Sequence, residues 1–206
     1  MTGEQNFLNA TVNYPLLKGQ KANLYKCFLP LSFRSISDHG YAAFIHPEGV
    51  FDDPNGGALR EKLYARLRTR YAFANERKIF HEVDHHTTFS LNVYGGPRAG
   101  APAFDVINDL YLPLTIDACY EGDVEKPVPG FKDADGNWNI MGHPHRILHI
   151  TKKELQLFSD LFDGGGRWQV ARLPVLHAEE IIEVLTSFNR RKEKIAEKSC
   201  NSFLVI

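Results

Sequence analysis

Residues 23–50 read NLYKCFLPLSFRSISDHGYAAFIHPEGV, and this stretch decides how the chain is assigned. Leu24, Tyr25, Phe28, Leu29, Leu31 and Phe33 recur at helical spacing, with Pro30 expected to kink or break the helix and Gly40 to stop it. Tyr41-Ala42-Ala43-Phe44-Ile45 is a short apolar run that predicts a buried strand. From His46 to Gly57, two prolines and three glycines predict a loop. Its Asp52-Asp53-Pro54-Asn55 reads as a helix N-terminal loop with Asn55 as the cap. A second amphipathic helix is predicted over 58–70, with Leu59, Leu63 and Leu67 on one stripe. Residues 71–74 read as a strand, and 87–94 (TTFSLNVY) alternate as a further strand. The order helix, strand, helix, strand, strand predicts an α/β sheet that finishes in an antiparallel pair.

Composition shifts after Gly100, which divides the chain into residues 1–100 and 101–206. Pro, Gly and Asp are frequent from 101 to 140, and Asp133-Ala134-Asp135-Gly136-Asn137 predicts a hairpin turn. Thr151-Lys152-Lys153-Glu154 is a capping box opening a helix to about Phe162. A third helical stretch is predicted from His177 to about Lys198, with Ile181, Ile182, Leu185 and Phe188 as its apolar face. The formal net charge of −1 does not by itself point to a polyanionic partner. Three scattered cysteines without a CxxC pair argue against a zinc ribbon and fit a reducing cytoplasm. Neither a signal peptide nor a membrane-spanning apolar run is evident.

Two clusters carry possible chemistry. His81-Glu82-Val83-Asp84-His85 matches H-E-x-x-H, a pattern that binds zinc only when a helix puts both imidazoles on one face. Here it lies between strand-like runs, so a polar loop is the stronger reading. The basic residues Arg60, Lys62, Arg66, Arg68, Arg70, Arg77 and Lys78 crowd one region. A solvated helix face is the default for such a run, and a phosphate-contacting surface the alternative.

The ordered set NLYKCFL, YAAFIHPEGV, Leu59-Arg60, Glu76–Phe80 and TTFSLNVY resembles the back half of DNA adenine-N6 methyltransferases from type IIG restriction–modification and phage-defence systems. The stretch 144–162 (PHRILHITKKELQLFSDLF) is similar to the segment after the catalytic domain in defence-system members. The resemblance implies the C-terminal half of a Rossmann-like methyltransferase domain with an incomplete sheet. An α+β region starting target recognition would come after it. It implies S-adenosyl-methionine as cofactor, double-stranded DNA as partner and methyl transfer to a flipped adenine.

By the same resemblance Phe28 packs near the cofactor. Phe80, Pro47 and, as a fallback, Phe89 shape the pocket for the flipped base. Beside them His81, His85 and His86 are expected to contact DNA rather than metal, as are Arg66 and Arg70 if the basic cluster faces phosphates. The family's Gly-rich cofactor motif and its Asn/Asp-Pro-Pro-aromatic loop are missing, since no Phe-x-Gly-x-Gly precedes Asn23 and no Pro-Pro pair occurs anywhere. No catalytic residue is therefore assigned. The expectation is a truncated, split or fragmentary methyltransferase, inactive alone and completed by an upstream-encoded half. The alternative is a non-enzymatic nucleic-acid-binding or interaction module that retains a decayed methyltransferase half.

Overall fold

The computed structural model describes residues 3–21 and 23–190. In chain order it contains α1 (Gly3–Asn9), α2 (Leu24–Ser35), β1 (Tyr41–Pro47), α3 (Gly49–Asp52), α4 (Gly57–Tyr64), β2 (Leu67–Ala74) and β3 (Thr88–Gly95). It continues through β4 (Ala103–Leu110), α5 (Leu114–Tyr120), β5 (Leu148–Thr151), α6 (Lys152–Phe162) and α7 (Glu180–Arg190). The expected continuation of α7 towards Lys198, and Cys200, lie outside the described residues. Among the described residues no helix is long and apolar enough to cross a membrane.

The five strands form one mixed sheet in the order β1-β3-β2-β4-β5. β3 runs antiparallel to both β1 and β2, β2 is parallel to β4, and β5 is antiparallel to β4. β1, β2 and β4 therefore point the same way and end on the same side of the molecule. The sheet takes strands from both sides of residue 100.

Local signals account for several elements. Asn23 caps α2 by accepting from the Tyr25 amide at 3.4 Å. Pro30 lies inside α2 and does not end it. Its ring deletes one backbone hydrogen bond, but buried Cys27, Leu29 and Pro30 itself hold the turn against the core. The capping box at Thr151 forms as expected, with Glu154 accepting from the Thr151 amide at 3.0 Å. The 133–137 turn also forms, closed by Asn137 N to Asp133 Oδ1 at 2.8 Å with Gly136 at φ +82°.

One face of the sheet packs against α2, α3, α4 and α6 through Leu29, Phe51, Leu59, Leu63, Tyr64, Leu155 and Phe158, meeting Tyr94, Phe104, Val106 and Ile150. The other face buries Phe73, Phe89, Ile107 and Leu110 under Cys119 of α5. Cys27 and Cys119 are buried free thiols, both pushed up by that burial.

Three expectations are corrected. β1 is an edge strand, with Tyr41 71% and Ile45 59% exposed, rather than a buried one. The helix expected over 58–70 stops at Tyr64, and β2 begins at Leu67. Its Thr69, Tyr71 and Phe73 alternate with Arg68, Arg70 and Ala72, and partners on both sides make the strand register decisive. The cap of α4 is Gly56, because Asp53 takes the Asn55 amide at 2.9 Å and so folds the preceding turn. β4 and α5 lie inside the region 101–140, for which the sequence offered only the turn at 133–137.

Three arginines are buried rather than solvated: Arg60, Arg70 and Arg146. Arg60 donates to the Val170 carbonyl at 3.0 Å and the Asp53 carbonyl at 2.6 Å. Arg146 donates to the carbonyls of Asn108 at 2.9 Å and Asp109 at 3.1 Å. Arg70 bonds Glu48 and, at 2.7 Å, Asn108 Oδ1, with its guanidinium 4.8 Å from the centre of the Phe51 ring. Removing one member of a buried ion pair strands the other. Glu48→Gln is expected to cost roughly 3 kcal/mol in urea unfolding. Combining it with Arg70→Met is expected to cost less than the sum of the two single changes; strict additivity would show the pair to be uncoupled.

Candidate functional site

The site is the end of the sheet where β1, β2 and β4 terminate, the end at which open α/β sheets place their ligands. It has two layers, one on each face of the sheet, because successive side chains along a strand alternate.

On the helix-packed face the layer is polar. His46, Ser90 and Asn92 are buried, and Ser90 pairs in register with both His46 and Ala72. Asn92 Nδ2 donates to Ser90 Oγ at 2.7 Å and lies 3.1 Å from His46 Nε2. The Tyr94 hydroxyl is 3.0 Å from the same Nε2. His46 Nδ1 is 2.8 Å from the Pro47 carbonyl, which can only accept. The tautomer that fits has Nδ1–H donating to Pro47, which leaves the single lone pair of Nε2 to be shared by Tyr94 and Asn92. Burial favours this neutral imidazole and pushes His46 down to about 4, with nearby Arg70 acting in the same sense.

Arg70 and Glu48 lie alongside. Asn108 reaches them because β4 carries one extra residue opposite β2: Tyr71 pairs with Ile107, but Phe73 pairs with Leu110. Asp109 adopts φ +54° at this bulge and accepts from His177 Nδ1 at 3.1 Å. Glu48 Oε1, Arg70 Nε and Asn92 Oδ1 are buried without a hydrogen-bond partner.

On the opposite face the layer is aromatic. Pro47 pairs in register with Phe89, and Phe89 with Phe73. Phe89 stacks on Phe73 at 5.4 Å, and Phe80 meets Phe89 edge-on at 5.0 Å. The fold thus brings together the three residues expected to shape a base pocket. Phe80 stays 39% exposed, leaving part of its ring for a planar ligand. Asn75 fixes the loop that carries Phe80. Its buried amide donates to the carbonyls of Phe80 at 2.9 Å and Val83 at 3.0 Å, and its Oδ1 accepts from the Phe80 amide at 3.0 Å.

The remaining expected residues fall elsewhere or turn differently. Phe28 is 51% exposed on the outer side of α2. Arg66 precedes β2 and holds its guanidinium 5.0 Å from the Phe33 ring centre, roughly 25 Å of strand away from Phe80. Arg70 is enclosed, so its guanidinium holds the sheet together and does not reach a phosphate. His81 and His85 are not joined on a helix, because 80–86 forms turns. Instead His85 and His86 both turn onto Glu76. The sequence reading missed Glu76, Asn75 and the His46–Asn92 network; the short polar residues inside an apolar strand were the available signal.

No family model and no curated protein matches the chain. Solved structures do. The methyltransferase subunit of a type I restriction–modification system from Streptococcus thermophilus aligns at 14% identity and TM-score 0.39, over 57% of this chain and 24% of that one. The M protein of the type I restriction enzyme EcoKI aligns at 13% identity and TM-score 0.46, over 90% and 48%. The type IIG restriction endonuclease BpuSI aligns at 18% identity and TM-score 0.39, over 50% and 12%. The structural neighbours are restriction–modification proteins. This chain spans less than half the length of each.

The His46 arrangement makes a signed pH prediction. The unfolded imidazole titrates near 6.5 and the folded one near 4, so the unfolded state binds the extra proton between those values. This contribution is whole above pH 6.5 and is lost as pH falls towards 4, amounting to roughly 3 kcal/mol at most. Urea midpoints at pH 7 and pH 4.5 are expected to differ less in His46→Gln than in the parent; equal differences would place the acid sensitivity elsewhere.

Proposed function

We propose that this chain is the C-terminal part of a Rossmann-like catalytic domain of a DNA adenine-N6 methyltransferase from a restriction–modification or phage-defence system. In this reading it acts only when a front half, supplied by an upstream-encoded chain, completes the sheet. One observation supports the reading: the sheet has an open edge at β1. β1 is an edge strand whose Tyr41, Ala43, Ile45 and Pro47 are exposed on the face away from α2. Beside it, Leu24 (56% exposed), Phe28 (51%) and Leu31 (40%) form an apolar stripe at i, i+4 and i+7 along the outer side of α2. An open edge flanked by apolar surface on both faces is where further strands and helices of a larger sheet would pack.

Phe28 stands beside Leu24 and Leu31 on the exposed side of α2, and the Gly-rich motif Phe-x-Gly-x-Gly does not occur before Asn23. In the proposal the front half brings the S-adenosyl-methionine pocket and the acceptors for the adenine amine. This chain contributes the Pro47–Phe89–Phe80 wall against which a flipped base stacks. Residues 101–206 then lead from the catalytic sheet towards target recognition, and His81, exposed on the loop rim, faces the DNA.

Purified alone, the chain is expected to transfer no methyl group from labelled S-adenosyl-methionine to double-stranded DNA. Co-expressed with the upstream half, it is expected to co-purify and methylate adenine. Phe28→Asp with Ile45→Lys, both exposed in the free chain, is expected to weaken that complex at least tenfold by calorimetry. Methylation by the isolated chain would refute the split. Salt-dependent DNA binding with no cofactor binding, even with the other half present, would favour the non-enzymatic module.

A further inference from the structure

The geometry points to a transition-metal site formed by Glu76, His85 and His86 at the two ends of the loop that carries Phe80. Among the described residues these three place one ligand atom each within 4.8 Å of one another. His85 Nδ1 lies 3.2 Å from Glu76 Oε2, and His86 Nδ1 lies 3.2 Å from Glu76 Oε1. Two ligands bound at 2.0–2.1 Å to a tetrahedral ion sit about 3.3 Å apart, and each imidazole stands near that distance from one oxygen of Glu76, His85 from Oε2 and His86 from Oε1. The two imidazole rings stand 3.7 Å apart at 45°.

The backbone is preorganised. Asn75, immediately before Glu76, ties the loop through Phe80, Val83 and Asp84, and its amide donates to the Thr87 carbonyl at 3.0 Å. Asp84 Oδ1 accepts from the His86 amide at 2.8 Å, which orients that residue. The two ends of the loop are therefore positioned before an ion arrives.

Two imidazole nitrogens and a carboxylate oxygen select Zn2+, Co2+ or Ni2+ over Mg2+ and Ca2+. Three protein ligands leave a coordination position for water. The ion takes the place of the protons between Glu76 and the histidines and ties the start of the loop to its end, fixing Phe80 between them. This assignment replaces the H-E-x-x-H pairing: His81 takes no part, and Glu76 supplies the carboxylate.

The test uses tag-free, chelator-treated full chain. Titration with Zn2+ is expected to give one ion per chain. Co2+ is expected to give visible absorption of a tetrahedral or five-coordinate site, bleached by Zn2+, and Zn2+ is expected to raise Tm. Glu76→Gln, His85→Asn and His86→Asn, each checked for unchanged circular dichroism, are each expected to weaken Zn2+ binding at least tenfold. His81→Asn is expected to leave it unchanged. Binding no tighter than that of the triple variant, or binding lost in His81→Asn alone, would overturn the assignment.

Discussion

The fold depends on a guanidinium placed where no solvent reaches it. Arg70 sits in the middle of β2, the strand at the centre of the sheet. From there it holds Glu48 after β1, Asn108 in β4 and the Phe51 ring in α3. These contacts tie together the three strands that end at the candidate site. Burial brings Arg70 down to about 10, still far above neutral pH, so the charge remains and must be matched. The bulge in β4 follows from the same need, because the extra residue turns Asn108 towards the guanidinium. Asn108 in turn donates to the Leu176 carbonyl at 2.8 Å, which docks the segment after α6 against the sheet. A hydrophobic residue at position 70 would pack, but it would give Glu48 and Asn108 no reason to converge.

The features legible in the sequence were local. The Asn23 cap, the Thr151–Glu154 box, the 133–137 turn and the alternation of β3 each depend on residues a few positions apart. The parts that escaped depend on distant partners. Arg66, Arg68 and Arg70 look like a solvated helix face until Glu48, 22 residues earlier, takes up Arg70. β4 was hidden because Asp105, Asn108 and Asp109 interrupt its apolar run, and those polar groups are answered by His149, Arg70 and His177 from elsewhere in the chain. At the site, the Pro47, Phe80 and Phe89 cluster was reachable through family resemblance. The Glu76 cluster was not, since its ligands meet across a folded loop rather than at helical spacing.

The open side of the molecule has a related physical origin. Edge strands that face water in finished domains carry charges, bulges or prolines that discourage pairing. β1 has Pro47 only at its last position, and Tyr41, Ala43 and Ile45 present an uncharged, β-forming face along the rest. The nearest helix adds an exposed apolar stripe where a surface helix ordinarily carries charge. Either feature alone is common on single proteins. Their adjacency on one side, while the opposite edge at β5 leads directly into the well-packed α6, makes the asymmetry meaningful. The two layers at the strand ends reach β1 through His46 and Pro47, so in the proposed reading a partner that covers β1 would also line the candidate site.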